Sequence, residues 1–472
     1  MATQFEVEIF VDRESRSVWN WQKHGWDVPE KYRVIEIWNG LILPSKKNVI
    51  ESLLNLLQSS VFREENRRWD SIRIAGNGRS SSPEFLSILQ ATFGKSEWLW
   101  ITKDMDDVAF CCLNSGLLLP GGIQRLNLQE SAGRPMTRRK LSILSQGLAA
   151  AKCLKTLVLS IDFIGAGVGE HIIPGIQANA SLKCIIAKGF SHEILSSLIT
   201  ALPGHPTMKS LRLACGNDLV FDDKIGEPLR AWLSRDDCKL EYLEFFREEC
   251  SSSDAQSFTL NLDLPNISLE GLKLRGVNVD SSALNSILPK LKSLGCLELD
   301  HNRITDLQPF DCLLLGESCC LEHLDLKDNP ISVASALAFA KKLPHMRVLR
   351  KLKLGNNPFL DNKDALEEFL EFVNKNTSLE QLEISMPGEE PHALRPRLMP
   401  GPCLNRACRR YLGNNPGSLP LHLIPYVIIR ARKIRYYDPF EDARTIPLKE
   451  LFEGHATFWL LRENDALLSH LS

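Results

Sequence analysis

LGCLELDHNRI (294–304), LEHLDLKDNPI (321–331) and LRKLKLGNNPF (349–359) are three stretches of the chain that share one pattern. Each has apolar residues at positions one, four, six and eleven, and asparagine at position nine. The alternation at positions four and six predicts a short strand with one buried face, because successive strand side chains point to opposite sides. Asparagine suits a turn whose backbone groups need hydrogen-bond partners. The pattern therefore predicts a strand followed by a turn, repeated along the chain.

The same register recurs along most of the chain. Its starts are Tyr32, Trp69, Ile123, Leu154, Leu182, Met208, Leu240, Leu269, Leu294, Leu321, Leu349 and Leu379, and a degenerate copy is predicted to begin near Trp98. The mean spacing is about 29 residues, which leaves room for a helix in each repeat. Segments with apolar residues at helical spacing lie between the strands. They are Asn48–Gln58, Arg139–Ala150, His192–Ala201, Ser332–Leu343 and Lys363–Asn374.

This pattern is that of leucine-rich repeats, and its three best copies resemble the ribonuclease-inhibitor-like class. The resemblance covers residues 32–386. It predicts an α/β fold, a right-handed solenoid (horseshoe) of about 12–13 repeats, with a parallel β-sheet on the concave face and helices on the convex face. Members of the class are mainly protein-binding scaffolds: inhibitors, activators of small GTPases, and substrate receptors of ubiquitin ligases. The resemblance implies an architecture and leaves the partner open.

The positions at which the repeat pattern begins and ends divide the chain into four predicted segments. Residues 1–31 contain a strand, Phe5 to Val11, and three tryptophans, and are interpreted as a cap on the first repeat. The solenoid follows over residues 32–386. Five prolines in residues 387–402 indicate a linker, and residues 403–472 are expected to form a small helical C-terminal module.

Composition narrows the function classes. The formal net charge is −2, so the chain lacks the basic excess typical of a nucleic-acid-binding protein. The N-terminus lacks the pattern of a secretory signal, and no apolar stretch is long enough for a membrane span. The thirteen cysteines are expected to be mostly buried thiols. We expect a monomer in the cytoplasm, with the nucleus as the alternative, without nucleic-acid or membrane partners.

Positions three, five and seven of each strand point to the concave side, a surface called the strand face below. We expect a protein partner, of unknown identity, to bind there. The candidate contact residues are Trp38, Arg73, Arg212, Tyr242, Glu244, Phe246, Lys273, Arg275, Glu298, Asp300, His323, Asp325, Lys327, Lys353 and Glu383. Both charge signs occur, and the register places Lys273 beside Glu298. Two interpretations are open: the opposite charges neutralise one another in solvent-exposed ion pairs, or a partner recognises the pattern of both charge signs.

Two apolar patches are predicted on this face. Tyr242 and Phe246 lie on one strand, beside an irregular segment (247–267) that lacks a helical pattern. They favour an interface anchor, unless that segment folds back and covers them. Val158 and Ile186 are expected to form a second, smaller patch.

The C-terminal module carries two weaker resemblances. Three segments are similar to the C-terminal part of uncharacterised leucine-rich-repeat proteins of microalgae: LNRACRRYL (404–412), LPLHLIPYVIIRAR (419–432) and FWLLRENDALL (458–468). The same stretch loosely resembles a SOCS-type box of ubiquitin-ligase adaptors. The matching residues are Leu404, Cys408, Leu412, Leu419 and Pro420, but His422 stands where that box has a second proline. A plain capping helix explains the same pattern.

Sequences that would indicate an enzyme are missing. A GKS tripeptide at residues 94–96 lacks the first glycine of a phosphate-binding loop, since residue 89 is Leu89. Cysteine pairs spaced for zinc are also missing, so no metal site and no cofactor are predicted. His301 and His323 lie on neighbouring repeats near Asp300 and Asp325, and are interpreted as solvated surface residues. The predicted function is a non-catalytic protein-binding scaffold, with a ubiquitin-ligase adaptor and a small-GTPase regulator as alternatives.

Overall fold

The computed structural model describes most of the solenoid region of the chain. The described residues are 5–10, 34–39, 53–55, 57, 69–75, 83–93, 96–102, 105–128, 137–160, 169–190, 192–215, 223–247, 269–316 and 319–384. The chain divides into two compact units. The N-terminal unit comprises Met1–Leu219 and Asp223–Leu240, and the C-terminal unit comprises Val220–Asp222 and Glu241–Ser472.

The N-terminal unit contains eight described strands, which pair in chain order. They are β1 (Phe5–Phe10), β2 (Val34–Asn39), β3 (Trp69–Ala75), β4 (Ser96–Thr102), β5 (Arg125–Leu128), β6 (Thr156–Ser160), β7 (Cys184–Lys188) and β8 (Ser210–Cys215). β1 is antiparallel to β2, and β2 to β8 are parallel. The strand predicted near the N-terminus is therefore confirmed, and it pairs with the first repeat.

Helices connect the strands of this unit, as the repeat length predicts. They are α1 (Pro83–Thr92), α2 (Asp107–Leu118), α3 (Arg138–Ala150), α4 (Ile173–Ala178), α5 (His192–Ala201) and α6 (Asp223–Leu233). Leucines at positions four and six, such as Leu157 and Leu159, are fully buried. Burial of a leucine side chain contributes about 1.5–3 kcal/mol, so the repeated leucines are the main source of stability.

The C-terminal unit repeats the same arrangement with six parallel strands. They are β9 (Tyr242–Arg247), β10 (Gly271–Arg275), β11 (Cys296–Glu298), β12 (His323–Asp325), β13 (Lys351–Lys353) and β14 (Gln381–Glu383). Its helices are α7 (Ser281–Ile287), α8 (Asp311–Leu314), α9 (Val333–Lys342) and α10 (Lys363–Lys375). Leu297, Leu324 and Leu352 stand side by side on neighbouring strands and are fully buried.

The position-nine asparagines bond the backbone between repeats. Asn329 Nδ2 donates to the carbonyl oxygens of Leu299 (2.9 Å) and Leu326 (3.1 Å), in two successive repeats. Its Oδ1 accepts from the Ile304 amide at 3.1 Å. Asn302 and Asn357 make equivalent donor bonds. Each side chain thus pairs buried backbone groups where the strand turns away, as the sequence predicts.

Position eight has a left-handed backbone in five repeats. Its residues are Gly189, Gly276, His301, Asp328 and Asn356, with φ between 54° and 66°. Only glycine adopts this conformation freely, and Asn, Asp and His adopt it more readily than other residues. The composition of position eight therefore follows from the turn that ends each strand.

A second asparagine position closes the helix side of two repeats. Asn179 and Asn376 stand three residues before a repeat start and are fully buried. Asn376 Nδ2 donates to the Leu343 and Met346 carbonyls, and its Oδ1 accepts from the amides of Ser378 and Leu379. Each buried amide satisfies backbone groups of two consecutive repeats.

His205 takes this asparagine position in another repeat of the N-terminal unit. Its Nε2 lies 3.2 Å from the Ile176 carbonyl oxygen, and its Nδ1 accepts from the Thr207 amide at 3.4 Å. The imidazole ring therefore spans the same gap between repeats that Asn179 and Asn376 span.

One repeat start differs from the prediction. The predicted start near Trp98 is wrong, because Trp69 pairs with Ser96 and Ile72 with Leu99. The fourth strand therefore starts at Ser96, and Trp98 occupies position three. The start is missed because position one is the polar Ser96. A search for an apolar residue at position one then selects Trp98, two residues later.

Each unit is thus a leucine-rich-repeat solenoid with a parallel sheet on one side and helices on the other, and the predicted fold class is confirmed. Among the residues that the structure describes, no helix combines the length and the apolar character that a membrane crossing requires.

Candidate binding face

Charged residues at position five form a row across the strand face of the C-terminal unit. Lys273 Nζ lies 2.9 Å from Glu298 and 3.6 Å from Glu244. Lys353 Nζ lies 2.7 Å from Asp325. Glu244, Glu298 and Asp325 are buried, so these pairs are not the solvated surface pairs expected from sequence. The predicted neighbour relation of Lys273 and Glu298 is confirmed.

Two carboxylates meet in the middle of this row. Glu298 and Asp325 are direct partners on β11 and β12, and both are almost completely buried. Like charges directly opposite each other destabilise a sheet. Each carboxylate is held by a lysine on its other side, Lys273 and Lys353 respectively.

The pKa values of the two lysines reflect this arrangement. Burial by itself would lower the pKa of Lys273, but the carboxylates of Glu298 and Glu244 outweigh burial and raise that pKa. Burial would also lower the pKa of Lys353, but the carboxylates of Asp325 and Glu298 outweigh burial and raise that pKa. Both ammonium groups are therefore charged at neutral pH.

Position seven forms a second, more accessible row at the carboxyl ends of the strands. Arg275 lies 3.1 Å from Asp300 but keeps 43% of its side chain exposed. Lys327 lies 2.5 Å from Glu383, and both are partly exposed. Phe246 is half-buried. This row therefore presents an aromatic ring and two cations beside the buried row of position five.

Tyr242 lies at position three of the same strand as Phe246. It is half-buried, and its hydroxyl group contacts Glu270 Oε2 at 3.0 Å. Most of the irregular segment that was expected to flank these aromatics, residues 248–267, lies outside the described residues.

The two histidines of this unit have different surroundings. His301 Nδ1 lies 3.1 Å from Asp300 and its Nε2 lies 3.4 Å from Asp328. The hydrogen bond to Asp300 raises the pKa of His301, against a smaller effect of burial. His323 is buried, contrary to the expected solvated surface position. Burial lowers the pKa of His323 well below its usual range, and Lys351 adds to this effect.

Position three brings His323 beside Cys296. The two residues are direct partners on β12 and β11, and Cys296 Sγ lies 3.3 Å from His323 Nδ1. Glu298 completes the group, with one ligand atom from each of the three residues lying within 4.8 Å of the others. The sequence predicts no metal site here. A comparison of positions three and five in neighbouring repeats would have found the group, because the paired strands bring these positions together.

The strand face of the N-terminal unit contains an apolar cluster. Trp98, Val158 and Ile186 form a buried cluster, with Trp100 and Cys184 packed against it. The second predicted apolar patch is therefore buried rather than exposed. The guanidinium of Arg125 lies 5.0 Å from the centre of the Trp98 ring. The predicted contact residue Arg212 is also buried.

Several predicted site residues lie where the structure describes no side chain. Trp38 and Arg73 fall on β2 and β3, whose side chains at these positions lie outside the described residues. The SOCS-like residues also lie outside them. They are Leu404, Cys408, Leu412, Leu419 and Pro420. Their proposed roles stay predictions.

Three solved structures resemble the chain. An internalin (InlF) from Listeria monocytogenes is 14% identical over 81% of this chain and 89% of its own, with a TM-score of 0.36. TLR13 in a TLR13–ssRNA13 complex is 16% identical over 73% and 53% of the two chains, with a TM-score of 0.37. The Rad7 and Elc1 complex of yeast is 14% identical over 74% and 77%, with a TM-score of 0.38. No protein-family model and no curated protein matches the chain. At these TM-scores the likeness supports no conclusion about a partner.

Proposed function

We propose that this chain is a non-catalytic scaffold that binds a protein partner through the strand face of its C-terminal unit. The observation that carries the proposal is the row of Phe246, Arg275 and Lys327 at the strand ends. Aromatic residues and arginine are enriched among the residues that dominate binding energy at protein interfaces. A rigid sheet also holds such residues in place, which lowers the entropy lost on binding.

A protein partner suits this face better than a nucleic acid. Nucleic-acid binding needs a continuous row of cations that can pair with phosphates. Here Lys273, Lys353, Arg275 and Lys327 each pair with a carboxylate. The face offers both charge signs and an aromatic ring, which fits a protein surface of mixed charge.

The finer assignments are proposals of the same kind. We place the repeats in the ribonuclease-inhibitor-like class, because helices such as α3 and α10 span 13 residues. We propose a cytoplasmic monomer. The ligase-adaptor and GTPase-regulator alternatives differ from the main proposal in the partner they need, so identification of the partner separates them.

The test is affinity capture with the full chain, followed by mass spectrometry. The variant Phe246→Ala/Arg275→Glu/Lys327→Glu is expected to lose the partner, because it removes the aromatic ring and reverses both cations. Lys273 is left unchanged, since its reversal would place a third carboxylate between Glu244 and Glu298. Circular dichroism should match that of the wild type. The melting temperature should fall, because the reversed residues lie beside Asp300 and Glu383, but the variant should stay folded at the temperature of the capture.

The matched control carries the same kinds of change away from the strand face. Leu315→Ala, Arg139→Glu and Lys341→Glu remove one exposed apolar side chain and reverse two exposed cations. It should recover the partner as the wild type does. If the strand-face variant binds equally well, the proposed site is wrong. If instead elongin or cullin components are recovered through residues 403–472, the adaptor alternative replaces the proposal.

A further inference from the structure

Three potential metal ligands meet on the strand face of the C-terminal unit. Cys296 and Glu298 are two residues apart on β11 and therefore point to the same side. His323 stands opposite Cys296 on β12. One ligand atom from each residue lies within 4.8 Å of the others, and all three residues are buried. Among the described residues, no other group brings three potential metal ligands this close together.

Two atoms of this group are buried without a hydrogen-bond partner. They are Glu298 Oε1 and His323 Nε2, which lie 3.9 Å apart. The Glu298 side chain is only 4% exposed, and the His323 side chain is 11% exposed. Buried polar atoms are almost always paired, so two unpaired atoms that face each other call for an explanation such as an ion.

We propose that Cys296, Glu298 and His323 form a binding site for a zinc ion. Thiolate sulfur, imidazole nitrogen and carboxylate oxygen are the ligand atoms that zinc takes in proteins. Three protein ligands leave a fourth tetrahedral position for water. The proposal is independent of partner binding and goes beyond it.

The spacing of the ligand atoms suits zinc after a small adjustment. Zinc bonds of about 2.0–2.3 Å place tetrahedral ligand atoms roughly 3.5 Å apart. Glu298 Oε1 and His323 Nε2 lie 3.9 Å apart, and the ligand atoms of the three residues all lie within 4.8 Å of one another, so shifts of about 1 Å bring them to that spacing. The paired strands fix the three Cα atoms, so this shift has to come from rotation of the side chains.

The surroundings supply what a bound ion needs. Lys273 holds Glu298 through Oε2 at 2.9 Å, which leaves Oε1 directed at His323. Partners of this kind orient metal ligands in known sites. A divalent cation beside Glu298 would also offset the repulsion between Glu298 and Asp325, which lie opposite each other. The unpaired Glu298 Oε1 and the neighbouring carboxylates of Glu298 and Asp325 would therefore both be satisfied by a bound cation.

The experiment is a titration of the full, reduced chain with Co²⁺, followed by displacement with Zn²⁺. We expect a thiolate-to-cobalt charge-transfer band that saturates at one ion per chain and is abolished by one equivalent of zinc. Cys296→Ser should abolish the band, and His323→Gln should weaken binding at least tenfold. Cys112→Ser changes a buried thiol outside the group, and should leave the band unchanged. A band that persists in Cys296→Ser, or its absence in the wild type, overturns the proposal.

X-ray absorption of the zinc-loaded wild type tests the site without any substitution. One sulfur at about 2.3 Å and nitrogen or oxygen neighbours at about 2.0–2.2 Å are expected. A shell without sulfur, or with two or more sulfurs, would place the ion elsewhere and overturn the proposal even if a variant fails to fold.

Discussion

Lys273 illustrates how much single residues on the strand face depend on their neighbours. Its ammonium lies between Glu244 and Glu298, and its side chain is 13% exposed. Arg275 also pairs with a carboxylate, but 43% of its side chain is exposed. Two ion pairs that look alike in the sequence are therefore expected to differ in their effect on stability.

Lys273→Met should lower the free energy of unfolding by about 3–5 kcal/mol, because it removes the cation that lies between two buried carboxylates. Arg275→Met should lower it by less, about 1–2 kcal/mol, since Arg275 is partly exposed and Asp300 keeps its contact with His301. Chemical denaturation of both variants measures the difference. Equal losses would contradict the burial of the position-five row.

Asn329→Ala should destabilise the chain by about 1–3 kcal/mol, because it removes the partner of two buried carbonyl groups and one amide. Asn285→Ala serves as the control, since Asn285 is exposed on α7. It should change stability by no more than about 0.5 kcal/mol. Loss of the same size in both variants would refute the role given to position nine.

The His205 ring predicts a pH dependence of stability. Burial lowers the pKa of His205 below its usual value of 6.5, against two backbone hydrogen bonds that raise it. The unfolded chain then binds a proton more readily than the folded chain, so this contribution is complete above pH 6.5 and is lost as the pH falls. Asparagine is the residue found at the equivalent positions 179 and 376. The variant His205→Asn should therefore lose less of its free energy of unfolding than the wild type between pH 7 and pH 5. Chemical denaturation at a series of pH values gives the free energy of unfolding of both proteins. Parallel curves of this free energy against pH would show that His205 does not cause the pH dependence.

At the scale of elements, the turn after each strand is set by one left-handed residue. Asn356 has φ of 57° and is exposed, with Nδ2 donating to Asp328. Its conformation, rather than its packing, limits which residues fit.

Asn356→Val should lower stability by roughly 1–2 kcal/mol, because a side chain with Cβ branching is strained in this region. Asn356→Gly should cost little, since glycine adopts positive φ freely. Thermal melting distinguishes the two. A glycine variant as unstable as the valine variant would show that the side chain contacts matter more than the backbone.

Elements were largely predictable from the sequence. Apolar spacing placed His192–Ala201 and Lys363–Asn374 correctly to within a residue, because a helix that packs on one face must repeat its apolar residues. The start near Trp98 was misplaced, since a polar Ser96 at position one leaves no apolar signal. Burial of the charged rows was also missed, because alternation tells which side of a strand a residue occupies and not how closely its neighbours cover it.

At the scale of the whole molecule, the repeat determines which distant residues meet. Cys296 and His323 are 27 residues apart in the chain and become partners on adjacent strands. A search for local spacing such as paired cysteines could not find them. The register predicted the pairing of Lys273 with Glu298 for the same reason, so comparison of one position across repeats is the informative way to read such a chain.

A partner that covers the position-seven row of the C-terminal unit would shield its side chains from solvent. Hydroxyl-radical footprinting of the complex with the captured partner measures this shielding, because aromatic side chains react in proportion to their exposure. Tyr242 and Phe246 are half-buried on the strand face, and Phe372 is half-buried on α10. We expect oxidation of Phe246, together with Tyr242, to fall severalfold in the complex while that of Phe372 stays constant. Unchanged oxidation of Phe246 together with protection of Phe372 would contradict it.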